Sequence, residues 1–360
     1  MSLDLPGLAA PLVAYALITL LHLAIPARWV DGYVRDAEGR PLRYRLNGLR
    51  VLVATIALWA GACAGGLLPW DFLYVHRWSS LAGACALGLV FTFALVLGAP
   101  PTGKPFLADL FLGRRENPQW AGGRIDAKMW LYLVGAVMLA LNLLSFAAHH
   151  VALHPDAPSP GVFVYVGLFF WFLCEYLFFE EVHLYTYDFF AERVGFKLGC
   201  GCLLFYPYFY AVGLWGVAEA PDPGLPAPLY ALFALVFFTG WALSRGANLQ
   251  KFTFKRDPSA LFLGRMRPEV VTDGTRSLLV SGFWGVSRHV NYLGEILMGI
   301  GLALALGQPL SLAPWLYPLY YVALLVPRER DDDLRCAAKY GPLWDAYTAR
   351  VRYRIIPGIY

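Results

Sequence analysis

A series of long apolar runs confines this chain, because about 20 apolar residues in helical form cover the hydrocarbon core of a bilayer. Spans are expected at 8–26, 50–69, 79–99, 128–148, 161–179, 196–217, 227–244, 293–307 and 311–326. The last two are short and joined through Gly307-Gln308-Pro309, which predicts a tight hairpin. A half-buried helix over 180–194 would bring the nine to ten. Composition agrees: 58% of the 360 residues are hydrophobic and only 15% charged, against about a quarter charged in a soluble chain. The expected fold class is therefore all-α, a polytopic transmembrane bundle of about 9–10 membrane helices. No linker, repeat or low-complexity stretch divides it, and only 245–291 is long among the loops. The reading is one integral membrane domain over 1–360, with N-terminal helices in 1–160 and a catalytic half in 161–360.

Basic residues orient the bundle. Loop 27–50 carries Arg28, Arg35, Arg40, Arg43, Arg45 and Arg50, and loop 100–128 carries Lys104, Arg114, Arg115, Arg124 and Lys128. Arg193 and Lys197 lie in loop 180–197; eight Lys or Arg lie in 245–291, and seven more in the tail. The intervening loops hold Arg77 alone. Strict alternation over nine spans collects every basic loop on one face, which the positive-inside rule makes cytoplasmic, leaving the N-terminus outside and the C-terminus inside. The first apolar run has no basic residue before it and Arg28 after it, the pattern of a retained helix rather than a cleaved signal. The six cysteines sit mostly in apolar runs and read as packing residues. Cys200 and Cys202 make a C-x-C with no second pair, so no metal is expected.

Ionisable and polar side chains beside apolar spans are costly and so point to function. Cys174-Glu175-Tyr176 through Glu180-Glu181-Val-His183-Leu-Tyr185-Thr186-Tyr187-Asp188 is one such cluster, suited to a proton relay or a polar anchor for substrate. Carboxylates at a helix end paired with nearby cations are the plainer account. The run Phe205-Tyr206-Pro207-Tyr208-Phe209-Tyr210 offers phenols and a helix break at a depth where a flat, apolar ligand would fit. Lys251 and Lys255 are spaced i, i+4 and share a helical face. Ser281-Gly-Phe-Trp284-Gly-Val-Ser-Arg288-His289-Val-Asn291-Tyr292 gathers groups that sandwich and hydrogen-bond a planar heterocycle. Arg328, Arg330, Asp331, Asp332, Asp333, Arg335 and Lys339 follow, interleaved at helical spacing with Cys336, Tyr340, Trp344 and Tyr347. These pieces together suggest a nucleotide-cofactor site without a Gly-rich phosphate loop, since neither a dinucleotide fingerprint nor a P-loop is present.

At these residues the chain resembles the sterol reductase family, which includes the delta-14 and delta-7 sterol reductases, the delta-24(28) enzymes and the lamin B receptor. Arg43-Tyr-Arg45-Leu-Asn47-Gly48 is similar to its early element, and Gly113-Arg-Arg-Glu-Asn117-Pro118 with Asp126-x-Lys128 to its next loop, with an extra Arg and with Gln119 for the usual Arg. Ser281-Gly-Phe-Trp284-Gly, Arg288-His289-x-Asn291-Tyr292, Arg330-Asp-Asp332 to Cys336-x-x-Lys339-Tyr340-Gly341 and Trp344-x-x-Tyr347 resemble its late signature.

The resemblance implies reduction of a sterol carbon–carbon double bond by NADPH. It implies cofactor contacts at Lys251, Lys255, Leu279, Trp284, Asn291, Tyr292, Asp332, Cys336, Lys339, Tyr340 and Tyr347, with Arg328 and Arg335 as further phosphate partners. Lys255 stands where relatives have Arg, keeping charge but losing the bidentate fork. Proton-donor candidates are Tyr176, Glu181, Asp332 and Tyr347; Glu180, Asp188, Tyr206 and Tyr210 are expected to face substrate. Phe283-Trp284-Gly285, Val290 in place of a proline, and the ending Tyr353 to Tyr360 look most like delta-7 enzymes, with delta-14 or delta-24 reduction as the alternative. A membrane methyltransferase of the isoprenylcysteine type, using S-adenosylmethionine, is the alternative of another class. The expected partners are a sterol from the bilayer and the lipid itself, with no nucleic acid and no obligate protein. An endoplasmic reticulum or bacterial inner membrane would suit equally.

Overall fold

A computed structural model describes residues 3–360. The chain is built of two compact units, one ending at Gly224 and the other beginning at Leu225. That division falls in a proline-rich stretch and concerns packing alone; it is not the division at 160 expected from the sequence.

The first unit holds α1 (Leu5–Ala24), β1 (Arg28–Arg35), β2 (Pro41–Leu46), α2 (Gly48–Ala64), α3 (Arg77–Leu97), α4 (Ala127–Leu153), α5 (Pro160–Phe178) and α6 (Phe196–Val217). α4 is its axis: apolar on every side, it is mostly buried and packs on α1, α2, α5 and α6. Gly135 lets α6 come close, since a Cβ there would lie 2.6 Å from the Cys202 carbonyl oxygen and from the Tyr206 ring. α6 is not one regular helix. Gly201–Phe205 is a π turn, and Pro207 follows without an N–H to offer. The fully buried Asn142 donates its Nδ2 to the Pro207 carbonyl at 2.8 Å, satisfying backbone that membrane interior would otherwise strand.

The basic stretch after α1, read from sequence as a loop, is an antiparallel hairpin. Trp29 pairs with Arg45, Val30 with Tyr44 and Asp31 with Arg43. One face (Val30, Leu42, Tyr44, Leu46) packs on Met129, Leu184 and Phe189, and the other shows Trp29, Tyr33 and Arg43 to the outside. In the segment expected to hold a tenth helix, two single turns form instead, Glu180–His183 and Tyr187–Phe190.

The second unit holds α7 (Ala227–Arg256), β3 (Val270–Thr272), β4 (Ser277–Leu279), α8 (Val290–Ala305), α9 (Leu312–Tyr340) and α10 (Pro342–Arg350). α7 and α8 touch backbone to backbone: a Cβ on Gly294 would fall 2.5 Å from the Gly240 carbonyl oxygen, and one on Gly240 the same distance from that of Gly294. α9 begins in the last apolar run and continues without interruption through the charged knot to Tyr340, where Gly341 at φ +54° ends it.

Among the described residues, six helices are long and apolar enough to cross a membrane: α1, α3, α4, α5, α6 and α7. α2 and α8 are shorter apolar helices, and with the apolar start of α9 every one of the nine expected spans coincides with helix. The all-α polytopic bundle is the architecture observed.

Candidate active site

In the second unit the late motifs converge. Gln250, buried on α7, holds the turn before Trp284 from both sides: its Nε2 donates to the Ser281 carbonyl at 3.1 Å and its Oε1 accepts the Phe283 N–H at 3.0 Å. Between them Gly282 adopts φ +60°, ψ −132°, and a Cβ there would meet Gln250 Nε2 and Met266 Sδ at 2.4 Å. Gly246 is bare because the Phe283 ring lies against it. The clamp presents Trp284, whose indole N–H donates to the Ala247 carbonyl at 2.8 Å while the Lys251 ammonium stands 5.2 Å over its ring.

Four residues further the chain pairs with the tail: the N–H groups of Arg288 and His289 donate to the carbonyls of Tyr353 and Arg354 at 2.9 and 2.8 Å. The His289 ring stacks on Tyr292 at 4.7 Å and points Nε2 toward Asp332 Oδ2 at 3.8 Å. Burial, and then the charges of Lys251, Arg288, Arg328 and Arg354, push the His289 pKa down to about 3, so its imidazole is neutral. In the first turn of α8 the buried Asn291 Oδ1 has no hydrogen-bond partner among the described residues. Across from these, Tyr340, Trp344 and Tyr347 form a ladder of near-parallel rings at 6.4 and 4.8 Å. Lys339 lies 5.0 Å over the first ring, and Arg276 of the β3–β4 turn 5.5 Å over it. Cys336 packs against this cluster, its thiol pushed up to about 12 by burial first and Asp332 second, and burial raises the Tyr347 phenol also. Leu279, buried on β4, pairs with Val270.

Chemically this is a wall of cations resting on aromatic faces, with a neutral imidazole and an orphaned carboxamide oxygen. Such groups fit a dinucleotide: cations for its phosphates, rings for its planar base, and a buried acceptor for an amide or hydroxyl donor. Lys251, Lys255, Trp284, Asn291, Tyr292, Asp332, Cys336, Lys339, Tyr340 and Tyr347 all fall in this unit, as do Arg328 and Arg335 on α9.

The first unit has its own polar cluster. Tyr132 donates its hydroxyl to Asp188 Oδ2 at 2.9 Å and stands edge-on to Tyr176 at 5.9 Å and to His183 at 6.2 Å. The Tyr176 and His183 rings are 4.1 Å apart, and His183 Nε2 is 3.0 Å from the Tyr176 carbonyl oxygen. Tyr206 and Tyr210 follow the π turn of α6, edge to face at 4.7 Å. Tyr206, Cys202, Asp188 and Tyr210 lie in one electrostatic neighbourhood with Tyr176.

Glu180 and Glu181 stand apart from that cluster. Glu180 is buried and accepts the Gly48 N–H at 3.0 Å, at the start of α2; burial raises its pKa to about 7. Glu181 forms an ion pair with Arg28 at 2.7 Å.

The comparisons with known proteins bear on this constellation. Residues 10–360 match the profile of the Ergosterol biosynthesis ERG4/ERG24 family. The chain is 32% identical to a Delta(14)-sterol reductase of Arabidopsis thaliana, across 99% of this chain and 97% of the relative. It is 33% identical to a Delta(14)-sterol reductase of Methylotuvimicrobium alcaliphilum, across 94% and 80%. To the Delta(14)-sterol reductase TM7SF2 of Mus musculus it is 34% identical, across 99% and 88%. The chain belongs to the ERG4/ERG24 family.

It is thus a membrane-embedded sterol reductase, an oxidoreductase acting on a sterol carbon–carbon double bond, and the methyltransferase alternative falls. The early motifs of this sterol reductase serve as scaffold. Arg45 donates to the carbonyls of His22, Leu23 and Ile25 at the end of α1, and Asn47 Nδ2 donates to those of His22 and Ile25. Lys128, fully buried, donates to the carbonyls of Asp188, Phe189 and Glu192. Sequence reasoning passed over Gln250, Tyr132, Glu329 and Arg354. Gln250 stands next to Lys251, and a buried amide at a helix end is a visible signal; nothing in the sequence marks Tyr132 among its apolar neighbours.

Proposed function

We propose that this chain is an NADPH-dependent Delta(14)-sterol reductase, taking its sterol from the bilayer with the cofactor wall on the cytoplasmic side. The observation that carries the bond assignment is that the relatives matched over almost the whole chain, from a plant, a bacterium and a mouse, are all named for Delta(14). This favours the alternative over the delta-7 expectation, and the geometry explains why that expectation was a poor guide. Val290 is the first residue of α8, where proline is favoured for reasons of helix initiation. Phe283 packs on Gly246. Both differences lie at positions engaged in packing and helix initiation.

An isolated alkene accepts hydride only once a proton has made one of its carbons cationic, so the net reaction adds a proton to one carbon and a hydride to the other. NADPH, when bound, supplies the hydride. Lys251, Lys255, Lys339, Arg328 and Arg335 would hold its phosphates, Asn291 Oδ1 would accept from an amide or hydroxyl of the cofactor, and Trp284 with the Tyr340–Trp344–Tyr347 ladder would confine its planar parts. Neutral His289 keeps a further positive charge away from Asp332. In the first unit, Tyr176, Tyr206, Tyr210 and Asp188 would face the sterol. Tyr176 is the proton donor this reading prefers: it sits among polar groups within apolar helices, whereas Glu181 is tied to Arg28 as an ion pair. The lipid and the sterol are the partners; the host membrane is that of a sterol-making cell.

The test is product analysis of the purified protein with NADPH and sterols bearing Δ14, Δ7 or Δ24 bonds. The reading expects saturation of the Δ14 bond with one NADPH consumed per bond. Turnover confined to Δ7 sterols would restore the earlier expectation, and no turnover of any sterol would remove the function.

A further inference from the structure

We propose that Asp333, the neighbour of the candidate cofactor residue Asp332, is the positioning residue of the cofactor wall: one carboxylate holds the Arg288 turn, the Trp344 ring and the Arg354 tail in mutual register. The proposal rests on the NADPH reading above. Asp333 Oδ1 accepts from Arg288 Nη1 at 2.7 Å and from Trp344 Nε1 at 3.3 Å, and Oδ2 accepts from Arg354 Nη2 at 3.1 Å. Each donor belongs to a different segment of the wall. Arg288 leads directly into His289, Asn291 and Tyr292; Trp344 is the middle ring of the ladder; Arg354 anchors the residues that pair with the Arg288 turn.

The tail's side of the arrangement is equally definite. Arg354 Nη1 also reaches Glu329, a fully buried carboxylate, at 2.9 and 3.2 Å, and the Tyr360 hydroxyl donates to the same carboxylate at 3.2 Å. Ser287 Oγ donates to the Ile355 carbonyl at 2.9 Å, beside the two backbone bonds from Arg288 and His289. Two guanidinium groups therefore meet two carboxylates, so Arg288 and Arg354 are neutralised within the wall and do not compete for phosphate. This separates them from Lys251 and Lys339, which rest on aromatic faces.

Consecutive helical residues point about 100° apart. On α9 that rotation gives Asp333 to Arg288 and Asp332 to His289, so two adjacent carboxylates address two adjacent residues of the turn. Removing the Asp333 charge leaves Arg288, only 8% exposed, with a buried and unpaired cation. The turn then has to shift, taking Asn291 and Tyr292 with it, while Trp344 loses the bond that holds it between Tyr340 and Tyr347.

The experiment is NADPH binding and steady-state kinetics on the full-length protein in detergent, comparing wild type with Asp333→Asn, Asp333→Glu and Arg354→Gln, with thermal unfolding measured on each. For Asp333→Asn the expected result is a rise of about tenfold or more in the Kd and KM for NADPH, the loss of one charged hydrogen-bond set. Its kcat at saturating NADPH stays within about threefold, as befits a group that touches neither reactant. Asp333→Glu recovers part of the affinity, and Arg354→Gln shows the same pattern more weakly. A wild-type Kd in the folded variants, with only the unfolding temperature lowered, overturns the proposal. Should Asp333→Asn fail to fold, the Kd of Asp333→Glu and of Arg354→Gln decides in the same way. Absence of NADPH binding by wild type itself would instead remove the cofactor reading, and the positioning role with it.

Discussion

Replacing Lys128 by methionine tests the scaffold under the candidate sterol cluster. The Lys128 ammonium is wholly buried and donates to the carbonyl oxygens of Asp188 at 2.7 Å, Phe189 at 3.1 Å and Glu192 at 2.7 Å. Methionine keeps most of the length and the apolar stem of the side chain and removes the ammonium with its three donors. Each carbonyl deprived of its donor costs about 1–3 kcal/mol. Two of the three bonds are only part-buried, so water replaces some of the loss, and relief from burying an ammonium offsets more. The net expectation is a destabilisation of about 3 kcal/mol. Because Asp188 lies on the turn that Lys128 holds and accepts the Tyr132 hydroxyl, sterol binding should weaken along with stability. Equilibrium unfolding in mixed micelles, followed by tryptophan fluorescence, reads the first effect, and sterol titration reads the second. A change in stability below about 1 kcal/mol with unaltered sterol affinity would show that the three bonds are incidental.

Gly282→Ala should abolish NADPH binding while leaving the membrane helices folded, because its backbone conformation and the 2.4 Å approach of Gln250 both refuse a Cβ; a Kd within twofold of wild type contradicts the clamp. Glu180 has its folded pKa raised from 4.5 to about 7, so the folded state holds the extra proton between these values and stability falls as pH rises through that window. The term amounts to at most about 3 kcal/mol, and unfolding temperatures measured from pH 4.5 to 7.5 should converge on, then drop below, those of Glu180→Gln; parallel curves would refute it. His289 acts in the opposite sense. Its folded pKa lies at about 3 against an ordinary 6.5, so its contribution is complete above pH 6.5 and is lost as pH falls toward 3. His289→Gln should flatten that acid limb of the unfolding profile.

The membrane helices were legible because span length and apolar composition are properties of a local window. The antiparallel hairpin over Arg28–Leu46 was not, since Arg43 and Arg45 on its outer face disguised an alternation whose inner members are Leu42, Tyr44 and Leu46. In the second unit, the residue types that form the candidate cofactor wall were visible as an unusual mixture of cations, amides and rings. What their spacing did not contain was the pairing. Asp332 and Asp333 are chemically the same side chain, and the rotation between consecutive residues of α9 decides which of them meets Arg288 and Arg354. Similarly, Glu180 and Asp188 were equal candidates for substrate contact until their positions separated them, one at the start of α2 and the other beside Tyr132 and Tyr176. The identity of the reacting bond was the least accessible. It depends on where a rigid sterol stops along its pocket, and the residues that seemed to discriminate, Phe283 and Val290, are engaged in packing and helix initiation.

Isotope incorporation tests the central claim most directly. Purified protein is given a Δ14 sterol with NADPH in deuterated water, and in a parallel reaction with NADPH deuterated at the transferring position in ordinary water. Addition of a proton and a hydride across the Δ14 bond predicts one solvent deuterium in the product of the first reaction and one cofactor deuterium, on the other carbon, in the product of the second. A product without cofactor deuterium, or a Δ14 sterol returned unchanged while NADPH is bound, would contradict the account.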